Sequence, residues 1–240
     1  MQTSIKLRHR LGSWLFLPAL VLWSAPFAAL VPVLMIVPKE WAWVRRLSRR
    51  WAHGTLSLLR ILCGVRHRVE GDWPSGPAII AASHHSMWET AAFVAIDPDA
   101  CLVTKQSLGR FPVFGWYLRH FPMIMIDRNG RASTLKEMVR ATQTQLAAGR
   151  RVIIFPSGTR VAFASEPPLQ RGIAMLARAC AVPVVPVAHN AGQKLGRGFD
   201  LREPGEIVLC VLPPLSPDLS GGELVTALSR ALEDGETALA

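Results

Sequence analysis

Apolar and polar positions alternate in blocks along most of the chain, and each block has the length of a strand or a helix. Short apolar runs bounded by turn residues are typical of buried strands, and longer periodic stretches are typical of helices. The pattern predicts strands at 78–82, 101–104, 123–126, 151–155, 183–187 and 206–212. It predicts helices at about 86–96, 111–120, 134–148 and 172–180, and a last helix from about 222. This alternation predicts an α/β fold, with a mixed, largely parallel sheet flanked by helices.

The N-terminal part of the chain has a different pattern. Residues 11–38 form a stretch of 28 without a charged side chain, which exceeds the roughly 20 residues needed to cross a hydrocarbon core. Prolines at positions 18, 26 and 32 argue against one straight helix. Basic residues flank the stretch on both sides, so the positive-inside rule favours neither orientation. We therefore expect an N-terminal membrane-embedded helical segment.

Three forms of this segment remain open. A kinked or re-entrant helical hairpin, with both ends on the cytoplasmic face, agrees with the basic residues on both flanks. One bent spanning helix is the main alternative. A cleaved signal peptide agrees less well, because the apolar stretch continues to residue 38, past the Ala-rich segment at 25–29.

Residues 41–62 extend the membrane interpretation. Trp41, Val44, Leu47 and Trp51 recur at spacings of three and four, and arginines fill the other faces. This pattern is typical of an interfacial amphipathic helix, with aromatic rings at the depth of the lipid headgroups. The alternative is an ordinary surface helix that packs its tryptophans on the domain.

Charge separates the chain into two parts. The net charge is +10, of which residues 1–70 contribute +9 (eleven bases, two acids) and residues 71–240 contribute +1 (sixteen bases, fifteen acids). A nucleic-acid binder is expected to carry its basic charge on a folded surface. Here the bases flank apolar segments, which favours an anionic membrane surface and no nucleic acid as partner. We divide the chain into a membrane-anchoring segment, 1–62, and a domain, 63–240.

The amino-acid composition excludes some classes of protein and argues against a metal site. Half of the residues are hydrophobic and 18% are charged, which excludes a disordered or collagen-like chain. The four cysteines form no CxxC pair and have no zinc-type spacing with the seven histidines, so we expect buried thiols and no metal site.

The segment SHHSMWET at 83–90 directly follows the first predicted strand of the domain. His84 and Glu89 straddle a strand-to-helix turn, where the carboxylate is able to orient the imidazole and leave its other nitrogen as a general base. No nucleophilic cysteine or GxSxG serine accompanies them. The pair therefore predicts direct attack of a substrate hydroxyl on an acyl carbonyl. Taken alone, a polar cluster at the start of a helix is the commoner explanation.

Three further segments place polar residues at the ends of apolar strands, where α/β sheets have their sites. Residues 105–128 contain basic residues around an aromatic, glycine-punctuated helix and a strand that ends in Asp127 and Arg128. Residues 152–160 read VIIFPSGTR, and residues 182–187 read VPVVPV. Residues 192–198 are predicted as a loop rich in Gly, Lys and Arg.

In this order, the four segments between 78 and 190 resemble the 1-acyl-sn-glycerol-3-phosphate O-acyltransferase (lysophosphatidic acid acyltransferase) family of glycerolipid acyltransferases. The resemblance implies that His84 is the general base and that Glu89 orients it. It implies that Lys105, Arg128 and Arg160 surround the acceptor phosphate, to which guanidinium groups bind bidentately. Backbone amides of Gly158 and Thr159 would polarise the thioester oxygen. His85 matches no fixed position of the family and is interpreted as a bystander.

The resemblance also implies the reaction and its place in the cell. A fatty acyl chain moves from acyl-ACP or acyl-CoA to the free sn-2 hydroxyl of a lysophospholipid, 1-acylglycerol-3-phosphate, and gives phosphatidic acid. No cofactor is expected beyond the acyl-CoA or acyl-ACP co-substrate. The expected location is the inner or cytoplasmic membrane, with the catalytic domain on the cytoplasmic face.

One position departs from the family pattern. Ser157 stands where the third block usually has glutamate, so it is a substrate-binding candidate of altered chemistry. Either the acceptor differs from lysophosphatidic acid, or another acid such as Glu166 substitutes, or the activity is reduced. The departure leaves two alternatives: an acyltransferase for another lysolipid, for example a lyso-ornithine lipid, or an inactive membrane scaffold. The presence of both His84 and Glu89 argues against the scaffold.

Overall fold

A seven-stranded sheet with helices on both faces forms the domain in the computed structural model, which describes residues 2–36, 41–127, 132–165 and 167–240. The strands are β1 Val65–Glu70, β2 Ile79–Ala82, β3 Ala100–Lys105, β4 Ile124–Ile126, β5 Arg151–Ile154, β6 Val184–His189 and β7 Gly205–Val211. The helices are α1 Gln2–Ile36, α2 Trp41–Leu58, α3 Trp88–Ile96, α4 Pro112–His120, α5 Ala132–Ala147, α6 Gly172–Cys180, α7 Ala191–Lys194 and α8 Gly221–Thr237. A π-helical turn, Leu59–Cys63, extends α2.

The predicted α/β class is confirmed, and the elements predicted from residue 78 onwards are all present. The sheet order is β1-β7-β6-β2-β5-β3-β4. Neighbouring strands are parallel except β6 and β7, which are antiparallel. The sheet is therefore mixed and largely parallel, as predicted. The prediction missed β1 and the short α7.

The parallel strands at the centre of the sheet determine where a site forms. β2 lies between β5 and β6, and its four residues are all buried. Ile79 belongs to the cluster packed by α5, α6 and α8, and Ile80 to the cluster packed by α2 and α3. Burial on both faces explains why these strands are continuously apolar in sequence. Because β2, β3 and β5 are parallel, the segments that follow them emerge at one edge of the sheet.

The N-terminal apolar stretch is one helix, α1, which contains all three prolines. It runs antiparallel to α2, because Gly12 lies against Leu62, whereas Trp23 Nε1 donates to the Trp51 carbonyl at 3.0 Å. A Cβ on Gly12 would lie 1.9 Å from the Leu62 carbonyl oxygen, so the close approach requires glycine here. The hairpin interpretation expected the chain to reverse within this stretch, but residues 11–36 continue as one helix. The helix that packs antiparallel to α1 is α2.

One side of α1 faces outwards. Within the described residues, His9–Met35 is the one helix that is long and apolar enough to cross a membrane, with a mean hydropathy of 2.0. Phe16, Phe27 and Val31 are buried against the rest of the protein, whereas the opposite side exposes large apolar side chains. The exposed set includes Leu11, Trp14, Leu15, Leu17, Val21, Leu22, Leu30, Val33 and Met35.

The apolar face of α2 is turned inwards. Val44 packs with Val31 and Trp116, and Ala52 and Leu56 belong to the same buried cluster as β2 and α3. Val44 and Trp51, two of the residues assigned to the interfacial face, therefore contact the protein, where α3 and α1 offer an apolar surface that excludes water. The interfacial position of this helix stays a prediction. The domain boundary at residue 62 stays a prediction.

A buried ion pair lies at the edge of the sheet opposite to the one where the segments after β2, β3 and β5 emerge. Asp97, directly after α3, accepts hydrogen bonds from Arg151 Nε at 2.6 Å and from Trp73 Nε1 at 3.2 Å. Asp97 is 1% exposed and Arg151 is 8% exposed. The pair connects the end of α3 to the first residue of β5. It therefore fixes the position of α3, which carries Glu89, relative to β5, which precedes the segment at 155–160.

Removing Asp97 tests this connection. In Asp97→Ala, the buried Arg151 charge loses its carboxylate, which we expect to destabilise the protein by about 3 kcal/mol. Thermal unfolding in detergent should show a midpoint lowered by about 10 °C. Asp99→Ala is the matched control, because Asp99 is half-exposed and lies 3.7 Å from Arg151. An equal loss in both variants would contradict the role of Asp97.

Candidate active site

The turn between β2 and α3 holds a fully buried carboxylate. Glu89 lies in the first turn of α3 and accepts hydrogen bonds from the backbone N–H groups of His85 at 3.0 Å and Ser86 at 2.9 Å. Ser86 Oγ donates to it at 3.2 Å. Burial raises the pKa of Glu89, but the His84 and His189 imidazoles and these amides outweigh burial, and the pKa lies below its ordinary value. The lowered pKa favours the ionised carboxylate form of Glu89, although the side chain is fully buried.

His84 is the imidazole that faces this carboxylate. Its Nδ1 lies 3.5 Å from Glu89 Oε2, and its ring stacks on Phe155 with centroids 4.1 Å apart. The contact is longer than an ordinary hydrogen bond, as is common at sites without substrate. Glu89 and Phe155 together fix the plane of the ring. The structure thus brings His84 and Glu89 together as predicted from their spacing, and leaves Nε2 as the nitrogen for a substrate.

A cavity of about 370 Å³ opens beside His84, and we refer to it as the cationic cavity. Lys105, Arg160 and Arg197 line it. The Nε of Arg160 is buried and has no hydrogen-bond partner in the described part of the protein. A buried N–H without a partner is costly. The cavity thus offers positive charge, and an unused donor, to an anion.

The segment after β5 contributes unequally to this cavity. Gly158 and Thr159 line it. Gly158 has a φ of +72° and donates its N–H to the Phe155 carbonyl at 2.9 Å, which closes a turn. That amide is already engaged in the turn, and the oxyanion role of the two amides stays a prediction.

Three residues considered in the sequence analysis, Ser157, Arg128 and Glu166, are not among the described residues that line the cationic cavity. Ser157 Oγ donates to the Thr159 carbonyl at 2.8 Å, and the residue lines two neighbouring cavities but not the cationic one. The structure therefore does not bring Ser157 together with Lys105 and Arg160, and its role in binding stays a prediction. Arg128 and Glu166 lie outside the described residues.

An apolar cavity of about 240 Å³ adjoins the cationic cavity. The two share Thr90, Phe114, Leu118 and Met123 in their walls. The apolar cavity continues between α1, α2, α3 and α4, where its walls include Phe27, Leu47, Trp51, Val94 and Val113. The N-terminal helices therefore form part of the wall of the site.

Sequence reasoning missed several residues of this region. Arg197 lies in the loop after α7, and that loop reaches the turn between β2 and α3, because the Gly198 carbonyl accepts the Met87 N–H at 3.1 Å. Its only signal was a basic residue in a predicted loop. His85, interpreted as a bystander, is buried and hydrogen-bonded to Glu236 of α8. No group of three or more metal-ligating side chains is found among the described residues.

The amino-acid sequence of this chain is similar to those of known proteins. Residues 65–190 match the family model described as Acyltransferase. A 1-acyl-sn-glycerol-3-phosphate acyltransferase from Pseudomonas aeruginosa is 31% identical over 191 residues, which cover 79% of this chain and 74% of that protein. The human 1-acyl-sn-glycerol-3-phosphate acyltransferase alpha is 30% identical over 173 residues, which cover 67% of this chain and 60% of that protein.

The fold also has a counterpart among crystal structures. The 1-acyl-sn-glycerophosphate acyltransferase PlsC from Thermotoga maritima superposes with a TM-score of 0.75 at 21% identity, covering 98% of this chain and 97% of that one. This likeness confirms the fold and includes the N-terminal helices in it. The family match covers β1 to β6, the turn between β2 and α3 and the segment after β5, so this chain belongs to the acyltransferase family.

Proposed function

We propose that this protein moves a fatty acyl chain from acyl-ACP or acyl-CoA to the free sn-2 hydroxyl of 1-acylglycerol-3-phosphate, giving phosphatidic acid. The observation that carries the proposal is the position of the His84–Glu89 pair at a cavity lined by Lys105 and Arg160. A base beside a cationic cavity suits an acceptor that has both a hydroxyl and a phosphate. The relatives from Pseudomonas aeruginosa and human are named as 1-acyl-sn-glycerol-3-phosphate acyltransferases, which supports the same acceptor.

The chemistry requires no covalent enzyme intermediate. His84 Nε2 takes the proton of the acceptor hydroxyl while the oxygen attacks the thioester carbonyl carbon. The tetrahedral intermediate then expels the donor thiolate, which recovers the proton from His84. Glu89 stabilises the imidazolium during this step, and its lowered pKa keeps it ionised at neutral pH. Thr159 N–H is the proposed oxyanion donor.

The acceptor and the acyl chain would occupy the two adjoining cavities. The phosphate would lie against Lys105, Arg160 and Arg197, where the buried Arg160 Nε gains a partner. Arg128 keeps the role that the family resemblance implies. The apolar cavity is proposed to receive the acyl chain, because it continues from the cationic cavity and its walls are almost entirely apolar.

The proposed setting is the cytoplasmic face of the inner or cytoplasmic membrane. The exposed apolar side of α1 would enter the lipid, and the basic residues at both of its ends would lie at anionic headgroups. Phe111, Val113 and Phe114 at the start of α4 are also exposed; Val113 lines the apolar cavity, and Phe114 lines both cavities. A lipid substrate would then pass from the bilayer to the site over an apolar surface.

Replacing the base is the first test. His84→Ala should lower kcat at least about 1,000-fold with lysophosphatidic acid and either acyl donor. The assay uses purified, detergent-solubilised protein and a panel of lysolipids, with His53→Ala as the control because His53 is exposed on α2. A mutant that stays active would rule out His84 as base. Turnover of only another lysolipid would keep the mechanism and change the acceptor, and no turnover with any pair would support the scaffold.

Arg160→Ala tests the phosphate site. Loss of a charge-assisted hydrogen bond should raise KM for lysophosphatidic acid about 10- to 100-fold. The KM for an uncharged monoacylglycerol acceptor should change little. Arg178→Ala on α6 is the control, since Arg178 is exposed and lies outside the cavity. Equal losses for charged and uncharged acceptors would contradict a phosphate-binding role.

Val94→Phe tests the acyl cavity. Val94 lies on α3 beyond Thr90 in the wall of the apolar cavity, so a larger side chain there shortens the space for a chain. The ratio of kcat/KM for a 16-carbon donor to that for a 12-carbon donor should fall at least tenfold. Val94→Ala should not reduce the ratio. An unchanged ratio in a folded Val94→Phe protein would place the chain elsewhere.

A further inference from the structure

A second histidine–carboxylate pair lies behind the turn between β2 and α3, residues 83–87, which we call the catalytic turn because the proposed function places the base there. His85 Nε2 is 3.0 Å from Glu236 Oε1, and the two residues are 2% and 6% exposed. Glu236 belongs to α8, the last helix of the described chain. Polar groups are buried at such a position only when they are paired. The pair therefore needs an explanation that the family resemblance does not give.

The hydrogen bonds of His85 determine its charge. Its Nδ1 lies 3.1 Å from the Val161 carbonyl oxygen, and its Nε2 faces the Glu236 carboxylate. Both partners are acceptors, so both ring nitrogens must carry a proton for the two bonds to exist. Burial lowers the pKa of His85, but the hydrogen bond and charge of Glu236, the Val161 carbonyl and Glu89 outweigh burial and raise it. The geometry and the raised pKa both favour the imidazolium form of His85.

Glu236 connects α8 to two separate segments through its two oxygens. Oε1 accepts from Ser83 Oγ at 2.5 Å as well as from His85, and Oε2 accepts from the Ala164 N–H at 2.9 Å. Ala164 has a φ of 53°, a left-handed conformation that is unfavourable for a residue with a side chain. The bond from Glu236 stabilises this strained position.

These contacts join the base to the segment that carries Arg160. Ser83 and His85 flank His84, and Val161 directly follows Arg160. The Val161 N–H donates to the His84 carbonyl at 2.8 Å, and the Val161 carbonyl accepts from His85. Loss of the ion pair would separate α8 from Ser83 and His85 and remove the carboxylate that accepts the Ala164 N–H, so the described hydrogen bonds between the turn and this segment would be the two made by Val161.

We propose that His85 and Glu236 are positioning residues of the acyl-transfer site, and that their buried ion pair holds His84 at a fixed distance from the phosphate-binding Arg160. This inference rests on the proposed function and adds α8 to the site. A displacement of about 1 Å between a base and a bound substrate costs on the order of 100-fold in rate. The pair therefore acts on kcat without touching the substrate.

The ion pair has a defined pH window. The groups that face His85 are Glu236 from α8, Glu89 from α3 and His189 from β6. His189 stays neutral, because complete burial lowers its pKa to about 4. The pKa of His85 is raised, so the stabilisation is complete below its unfolded value of about 6.5 and is lost as pH rises through the higher folded value. Glu236 has a lowered pKa, so its contribution is lost only when pH falls below about 4.5.

The experiment compares full-length wild type, Glu236→Gln, His85→Gln, the double variant and Asp234→Asn. Asp234 is exposed on the same helix, so its variant removes the same charge without touching His85. The first measurement is the thermal midpoint of the substrate-free protein from pH 6 to pH 10. The second is kcat and KM for lysophosphatidic acid, at a temperature well below every midpoint.

We expect the wild type and Asp234→Asn to lose several degrees of thermal stability as pH rises, and Glu236→Gln and His85→Gln to lose less. We expect kcat to fall about 10- to 100-fold in each single variant and no further in the double variant, since the two residues act together. Wild-type kcat in folded Glu236→Gln would overturn the positioning role. Identical pH profiles in all variants would overturn the ion pair. If the wild type turned over no acceptor, the proposed function would fail, whereas the thermal profiles would still decide the ion pair.

Discussion

The buried negative charge of Glu89 is the constraint on which the rest of the site depends. A carboxylate without solvent is tolerated only where donors surround it. Here the donors are the amides at the start of α3, a serine hydroxyl and an imidazole on the catalytic turn. These donors exist only because β2 ends where it does and α3 begins six residues later. The Asp97–Arg151 pair at the far end of α3 holds that helix against β5, so both ends of α3 are fixed by charge.

The N-terminal helices have two physical tasks in one structure. α1 exposes an apolar side outwards, and α1 and α2 together close the apolar cavity next to the base. The antiparallel contact depends on two glycines, Gly12 against Leu62 and Gly54 against the Trp23 ring. The segment that we propose as the membrane anchor therefore also forms part of the wall of the site, although the sequence pattern divides the chain at about residue 62.

Most of the domain could be predicted from sequence, because its strands are buried on both faces and its helices are punctuated by glycine and proline. β1 escaped prediction since its sequence, VRHRVE, is polar and its residues are mostly exposed at the sheet edge. The continuity of α1 through three prolines could not be predicted either, because packing against α2 outweighs the local preference of proline.

Some residues of the site could likewise be predicted from sequence, and others could not. His84, Glu89, Lys105 and Arg160 lie at strand ends, where the topology of a parallel sheet brings them to one edge. Arg197 and Glu236 come from a loop and from the last helix, and their contacts depend on three-dimensional packing that no short spacing encodes. His85 was interpreted as a bystander because its partner lies far away in sequence.

The contact of Glu236 with the catalytic turn also bears on biosynthesis. Chains are made from the N-terminus at about 5–20 residues per second, so α1 leaves the ribosome long before α8. Under the proposed membrane attachment, α1 would therefore meet lipid before Glu236 is translated and pairs with His85. Attachment would then precede activation in each newly made molecule, and a nascent chain would reach the proposed lipid surface before its site was complete.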